Sequence, residues 1–408
     1  MQLRLSHLLL LASLLSSAAL FASEDNNRSL ESYISKLKNK QFDLDYKKNE
    51  AESSKLRDSW IAPINLSYAI SLSNPSSNEQ ELRTTAIKMD QPIFQSGGIY
   101  YGIKFATASK KYNDYTIDVA KRKMIKDAIA FLMQIKQSDL KIERQKLQID
   151  NAEINLELKK EQYMSGQLDS GFLDDAIIER NSVKQALYDL ETAKERLVSS
   201  LSALSEMDHS SAHVPHLELI DAEEFLSHNI QLEMLDSQIE RDEYNKKMTI
   251  AKYLPSVNFN AGYTWRESIN NEIRFLDGER EFYDYGIRAN MPLNINTFRD
   301  IESAKIDYLK SKVVKEDTKV QLQALFTQVM QNLENLKKKK LLSIENQELY
   351  NKLLEETRAL FEAGYKTQYD VALLKNSADI AALDAKIYEF DRQLELLSLY
   401  EMYVNDLE

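Results

Sequence analysis

The 408-residue sequence contains no cysteine. Disulfides, thiolate metal sites, cysteine nucleophiles and a lipidated N-terminal Cys are excluded together, so the chain is held by its fold alone. Proline and glycine are scarce: six prolines, at 63, 75, 92, 215, 255 and 292, and nine glycines, at 97, 98, 102, 166, 171, 262, 278, 286 and 364. No proline lies between Pro92 and Pro215 or after Pro292. These residues are the strongest punctuation of local structure, so their scarcity makes helix the default and their clustering marks two strand regions and two turns. A surplus of positive charge is also missing: 52 Lys and Arg against 64 Asp and Glu give a net charge of −12. That balance excludes nucleic acid as a partner, because its phosphates call for Lys and Arg in excess. There is no glycine-rich phosphate loop and no nucleophile elbow, and Asp/Glu pairs arise by chance where 28% of residues are charged. Neither an enzymatic activity nor a cofactor is expected.

Residues 1–22, MQLRLSHLLLLASLLSSAALFA, place a basic Arg4 before a Leu-rich stretch from Leu8 to Leu15 and small residues leading to Ala22. The pattern predicts a secretory signal peptide cleaved after Ala22. A membrane anchor is the alternative, disfavoured by the short apolar run and by the polar SEDNNRS that follows. No later segment reaches the ~18 uncharged apolar residues that a membrane helix requires, so any membrane span in the mature chain is a β-barrel.

The rest of the chain repeats. An alternating strand, a loop, a second strand ending in Pro, a long Pro-free run, a Gly turn and another helical run extend from Pro63 and Pro92 to Gly166. They recur from Pro255 and Pro292 to Gly364. Each copy is then one structural unit, and function is sought where copies meet. The helical runs keep heptad steps, in Phe172, Ala176, Val183, Ala186, Leu190, Ala193, Leu197 and Leu204, and in Val371, Leu374, Ala378, Ala381, Ala385 and Tyr388. Runs from Ile99 to Met164 and from Thr297 to Ala363 would each extend roughly 100 Å at 1.5 Å per residue. A spectrin-like rod would also use such helices, but it leaves the strands and the export signal unexplained.

Four segments alternate with period two. Ile64, Leu66, Tyr68, Ile70 and Leu72 oppose Asn65, Ser67, Ala69 and Ser71, and Thr85, Ile87, Met89 and Ile93 oppose Thr84, Lys88 and Asp90. Val257, Phe259, Ala261, Tyr263 and Trp265 oppose Asn258, Asn260, Gly262, Thr264 and Arg266, while Tyr283, Tyr285, Ile287, Ala289 and Met291 oppose Asp284, Gly286, Arg288 and Asn290. Such alternation marks a transmembrane barrel strand, and a half-buried soluble sheet shows it too. Trp60, Tyr253, Trp265, Phe282 and Tyr283 lie at strand ends, where an aromatic girdle would sit. Four strands cannot close a barrel and open edges are forbidden in lipid, so several chains are expected to share one barrel.

These features resemble the TolC-like outer membrane factor family, the exit ducts of bacterial efflux pumps and type I secretion systems. The resemblance is carried by FEAGYKTQYDVALLKN from Phe361 to Asn376, similar to that family's helix-turn-helix tip, and by its echo YMSGQLDSGFLDDAIIERN from Tyr163 to Asn181. It is carried also by YLPSVNFNAGY from Tyr253 and WIAPINLSY from Trp60, similar to the family's third and first strands. It implies a mainly α fold with a membrane β-barrel portion: a long antiparallel coiled-coil tunnel, four barrel strands per chain, two internal repeats, and a homotrimer closing a twelve-stranded barrel. The implied partners are outer membrane lipid, a periplasmic adaptor protein and an inner membrane transporter, and the implied location is the outer membrane of a Gram-negative cell with a long periplasmic extension. The chain divides accordingly into a signal peptide (1–22), an N-terminal helix (23–59), strands 1 and 2 (60–94), a first helical hairpin (95–207), an equatorial segment and helix (208–252), strands 3 and 4 (253–293), and a second hairpin with the C-terminal end (294–408). Loops 73–82 and 267–281 would face the outside of the cell.

The resemblance also assigns residues. Carboxylates just after the second tip turn ring the constriction in that family, and the matching position here is Asp370, with Lys366 at a basic position that can hold the closed state by pairing across helices. Three carboxylates on a narrow axis would repel one another and attract cations. The bland alternative is that Asp370 caps the helix beginning at Val371. A second acid one turn later is replaced by Leu373, implying one carboxylate ring. In the first copy Asp174, followed by Asp175, aligns with Asp370 only with a two-residue insertion that includes Gly171 and lengthens the tip. Gly166, Leu168, Gly364 and Tyr365 are candidates for adaptor contact, or plain turn residues. His209, His213 and His216 have helical spacing, but Pro215 interrupts it and no Cys or tight carboxylate accompanies them, so an exposed loop is expected in place of a metal site. Lys337 to Lys340 read as a solvated helix face, with a partner or lipid role as the alternative. The expected function is a passive outer membrane duct gated at its helical tips. An exported structural or adhesive coiled-coil protein is the alternative, and a stand-alone porin is disfavoured because a diffusion pore needs no tunnel.

Overall fold

The computed structural model describes residues 30–74, 79–270 and 278–404. The expected signal peptide lies outside them, as do parts of both expected outer loops. The first copy comprises α1 (Lys36–Arg57), β1 (Asn65–Ser73), β2 (Gln80–Phe94), α2 (Gly98–Met164) and α3 (Ser170–Leu204). After a short α4 (Ala222–Ser227), the second copy follows as α5 (Ile230–Lys252), β3 (Ser256–Asn270), β4 (Gly278–Asn290), α6 (Thr297–Glu362) and α7 (Gln368–Tyr400).

The long helices α2 and α6 have 67 and 66 residues, and each therefore runs roughly 100 Å. Two shorter helices flank each one: α1 near the strands and α3 at the far end beside α2, α5 and α7 in the same places beside α6. The shorter helices meet end to end. Ser35 N–H donates to the Leu204 carbonyl at 2.8 Å where α3 ends and α1 begins, and Ile230 N–H donates to the Met402 carbonyl at 2.9 Å where α7 ends and α5 begins.

The apolar core lies at these junctions. Ile125, Ile129, Leu132, Met133 and Ile135 of α2 pack with Tyr33, Ile34, Phe42, Leu201 and Leu397, and a second cluster gathers Phe225, Leu232, Leu322, Val329, Leu399 and Tyr403. From Ala128 to Met133 α2 is apolar on every side because α1, α3 and α7 converge around it, with Lys126, Asp127 and Lys136 flanking that stretch. The connecting segment between α3 and α4 closes over this level with Met207, Val214 and Leu217.

The strands form one antiparallel sheet in the order β1-β2-β3-β4. β2 and β3 are neighbours although the whole first hairpin separates them in sequence; Ser96 Oγ donates to the Pro255 carbonyl at 2.6 Å and ties their bases together. The register puts Leu66, Ile87, Tyr263 and Tyr283 in one row, Met89, Ala261 and Tyr285 in the next, and Phe259 with Ile287 beyond. Successive side chains alternate between faces, so this face is apolar. The opposite face carries Asn65, Lys88, Gly262 and Asp284, then Asp90, Asn260 and Gly286. Among the described residues β1 and β4 are edges with no further partner.

Two of the five expected girdle aromatics are placed elsewhere. Phe282 pairs with Thr264 on the polar face, where the Arg266 guanidinium lies 5.5 Å from its ring; Tyr283, its neighbour, points the other way. Tyr253 is 7% exposed and its hydroxyl donates to Asp300 of α6, so it packs the junction of strand and helix. Trp265 stays on the apolar face against Tyr263, 4.3 Å between ring centres, and Trp60 lies half-exposed at the foot of β1.

Candidate functional site

The two helical tips are built alike. At the first, Gly166 N–H donates to the Tyr163 carbonyl at 3.0 Å and Gln167 N–H to the Gln162 carbonyl at 2.8 Å. At the second, Gly364 N–H donates to Phe361 at 2.9 Å and Tyr365 N–H to Leu360 at 2.8 Å. This is the double bond of a glycine-terminated helix, and both glycines have positive φ, +74° and +80°. A side chain added at either would meet nothing within 4 Å, so backbone conformation alone calls for glycine there.

Each tip then starts its return helix three residues after the glycine, at N-cap Asp169 for α3 and N-cap Thr367 for α7. The turns are equal in length, which corrects the expected two-residue insertion. The position equivalent to Asp370 is Phe172, and Asp174 lies two residues further along α3, off that register. The insertion is suggested by sequence because Asp174 mimics Asp370, whereas Asp169 and Thr367 cap equally well and keep no common letter.

Asp370 is not the N-cap. It sits at the third position of α7 in a capping box: Asp370 N–H donates to Thr367 Oγ1 at 3.2 Å, and its Oδ2 accepts from Thr367 N–H at 2.9 Å and Thr367 Oγ1 at 2.8 Å. Its other oxygen lies 3.8 Å from Lys366 Nζ, so within one chain Lys366 pairs in its own turn. The Thr367 bonds, then the Lys366 charge, hold this carboxyl below its ordinary value. The first tip has no such box; Asp169 accepts from Gly171 N–H at 2.6 Å, and Phe172 lies under Lys159, 5.8 Å from the ring centre.

The tips expose large apolar side chains. Tyr365 is 81% and Met164 78% exposed, with Tyr163, Phe172 and Phe361 half-exposed beside them and Leu168 partly covered. Met164 escapes a sequence reading because it ends a helix without belonging to either heptad seam. Its signal is an apolar residue directly before a helix-ending glycine turn.

Behind the tips, α2 and α7 are joined by polar pairs seven residues apart on α2. Gln137 Nε2 donates to Asp391 at 2.6 Å, Arg144 Nη1 to Asp384 at 2.8 Å, and Asn151 Oδ1 accepts from Asn376 at 2.9 Å. By contrast the seams within each hairpin bury alanines such as Ala176 and Ala378. Polar pairs also bridge each hairpin, as Lys184 with Glu153 and Lys340 with Glu389, and the α2–α7 contact turns apolar away from the tips, where Phe390, Leu394 and Leu397 of α7 join the cluster on α2.

His209, His213 and His216 lie in the non-helical segment before α4, where their spacing brings no shared face. Asp208 beside them caps a turn by accepting from Ser210 and Ser211, which lowers its pKa to about 2. The Lys337–Lys340 run divides: Lys338 pairs with Glu334 at 2.8 Å on the exposed face, while Lys340 reaches Glu389 of α7 at 2.7 Å.

No family model matches the sequence, and no curated protein matches it. Solved structures do. The outer membrane protein VceC of Vibrio cholerae superposes with a TM-score of 0.70 at 16% identity, covering 90% of this chain and 93% of that one. The Campylobacter jejuni CmeC outer membrane channel gives 0.70 at 12% identity over 91% and 84%. The open state of the Neisseria gonorrhoeae MtrE outer membrane channel gives 0.62 at 12% identity over 89% and 85%. The fold is the one shared by TolC-like outer membrane channels: a long helical tunnel with a barrel portion.

Proposed function

We propose that this chain is a passive outer membrane duct, one third of a homotrimer, that carries cargo from a periplasmic adaptor and an inner membrane transporter, as part of an efflux pump or a type I secretion system, to the cell exterior. One observation carries the reading: a four-stranded sheet with an apolar face and two unpaired edges continues directly into helices about 100 Å long. Lipid tolerates such a sheet only when copies of it close a barrel. The apolar face then meets lipid and the polar face lines the lumen.

Helix exposure supports the same assembly. α2 is enclosed by α1, α3, α5 and α7, whereas α6 touches mainly α5 and α7. On its free side Ile306, Leu309, Val313 and Val320 fall on one stripe and are 48–68% exposed, and Leu37 and Leu44 of α1 are exposed at the opposite edge of the chain. A stripe on one edge matched by a stripe on the other closes as a ring.

The tips are the proposed gate and docking site. Asp370 and Lys366 would stand nearest the axis, and Tyr365, Leu168, Gly166 and Gly364 would meet the adaptor. Towards the tips the α2–α7 contact is made by the polar pairs Arg144–Asp384 and Asn151–Asn376, so the tip end of α7 can shift while the apolar packing of Leu394 and Leu397 at the far end stays in place. The test is the detergent-extracted protein: a heat-resistant trimer that forms ion-conducting pores in a planar bilayer, blocked by divalent cations from the helical end, is the expected result. A folded monomer without conductance would sink the reading.

A further inference from the structure

Charge is distributed unevenly over the two faces of the sheet. On the polar face, two rows in from the described ends of the hairpins, one row reads Ala69, Thr84, Arg266 and Arg280. Arg266 and Arg280 are direct cross-strand partners, both exposed, and like charges set opposite one another oppose pairing. Among the described residues no carboxylate pairs with either; Arg266 contacts only the Phe282 ring and Arg280 has no contact of this kind. The rows on either side, Ser71, Leu82, Ser268 and Gly278, and Ser67, Ala86, Thr264 and Phe282, hold no acid. Among the described residues acids appear on this face only deeper: Asp284, two rows away, and Asp90, which engages Arg288 at 3.7 Å and Asn258 at 3.1 Å.

The other face reverses the pattern. Level with the arginine pair stand Ile70, Arg83, Glu267 and Glu279, with Arg83 bound to Glu81 at 2.6 Å and to Glu267 at 3.4 Å. Among the described residues, acids therefore accompany the arginine that points outward and are missing from the rows next to the two that point inward, in a chain whose net charge is −12. A repelling pair without a counter-charge needs a reason, and an anion bridging two guanidinium forks supplies one.

We propose that Arg266 and Arg280 form an anion-attracting ring at the outer mouth of the lumen, which favours small anionic cargo. The assignment rests on the trimeric duct proposed above, which places six guanidiniums around one opening. Their field acts at the end opposite Asp370, so the two ends of the duct attract opposite charges. Rings of Arg or Lys select anions in pores by this physics.

The experiment uses the full mature trimer in a planar bilayer, with inorganic tripolyphosphate as the probe on the barrel side and a salt gradient across the membrane. Wild type is expected to show block from the barrel side only. Arg266→Ser with Arg280→Ser should weaken that block roughly tenfold at low salt and shift the reversal potential toward cations. Arg280→Glu, which pairs with Arg266 and preserves folding, should do the same. Conductance with block and reversal potential unchanged in both variants overturns the anion assignment and leaves the duct standing. A folded trimer that conducts nothing overturns the duct, and the ring with it.

Discussion

Arg144 of α2 donates to Asp384 of α7 at 2.8 Å while its Nε is buried without a partner, so the guanidinium depends on this one carboxylate. The pair is the middle rung of the contact between hairpins. Asp384→Asn removes the charge that compensates Arg144 and should raise the fraction of open channels. Read as open-to-closed occupancy in a double-mutant cycle with Arg144→Met, the coupling should be about 1–2 kcal/mol. Strict additivity would show that the pair does not hold the hairpins together.

At Gly166 and Gly364 the conformation, not space, calls for glycine. Alanine at either should strain the turn by about 1 kcal/mol, and asparagine by less, because Asn enters the left-handed region more readily. Limited proteolysis reports this directly: cleavage at the tip should speed up for Gly→Ala at each site and stay near wild type for Gly→Asn. Equal rates for all variants would mean that the turn is held by something other than its own backbone.

Asp370 gives the second tip a sign-defined response to pH. A carboxylate held below its ordinary value contributes stability that is complete above that value and is lost as pH falls through the lowered one. The second tip should therefore keep its protection from neutral pH down to ~pH 4 and loosen only in stronger acid. Asp370→Asn should remove this dependence and weaken the α7 start by about 0.5–1 kcal/mol, with weaker divalent-cation block of the reconstituted channel. The first tip, with Phe172 in the equivalent place, should show neither effect.

Much of this architecture was legible in the sequence for physical reasons that differ by element. Strand alternation follows from the two-residue pleat, so the faces of Leu66 and Asn258 could be assigned before the register was known. Gly166 and Gly364 announced the tips because few other residues adopt their φ. Phe282 was misread because aromatic character suggests lipid whereas parity decides the face, and Tyr253 because burial at a junction depends on α6, far away in sequence. Asp174 was misread because capping is satisfied by Asp or Thr alike. The polar rungs on α2 and α7 leave no local trace: Arg144 and Asp384 become partners only once the two hairpins are laid side by side.

The parity of Phe282 and Tyr283 allows a direct test of which face meets lipid. In a background with Trp60 and Trp265 changed to Phe, a single Trp at position 283 should be quenched by brominated lipid in vesicles, and one at 282 by aqueous iodide. Charge extends the argument: Tyr285→Arg on the apolar face should destabilise insertion by about 2–4 kcal/mol if it lies near the bilayer centre, while Asn260→Arg on the polar face should be tolerated. Identical quenching at 282 and 283 would remove the basis for assigning lumen and lipid faces.

Closure of three chains into a ring would bury the exposed stripe of α6. Val313 and Val320 are 68% and 62% exposed and lie seven residues apart on the open side of α6, so in an isolated chain they face water at a penalty that burial against a neighbour removes. At roughly 25 cal/mol per Å² of apolar area, covering each valine is worth about 1–2 kcal/mol, repeated at three interfaces. Val313→Glu with Val320→Glu should abolish the heat-resistant oligomer while leaving the helical content of the chain intact, because neither side chain supports the fold of its own protomer. Val314, beside them but only 38% exposed, serves as the internal control, since it already leans toward α5 and its change to Glu should disturb the chain itself. A trimer that survives the double charge would place the neighbour on another face of α6 and leave the exposed stripe without a structural role.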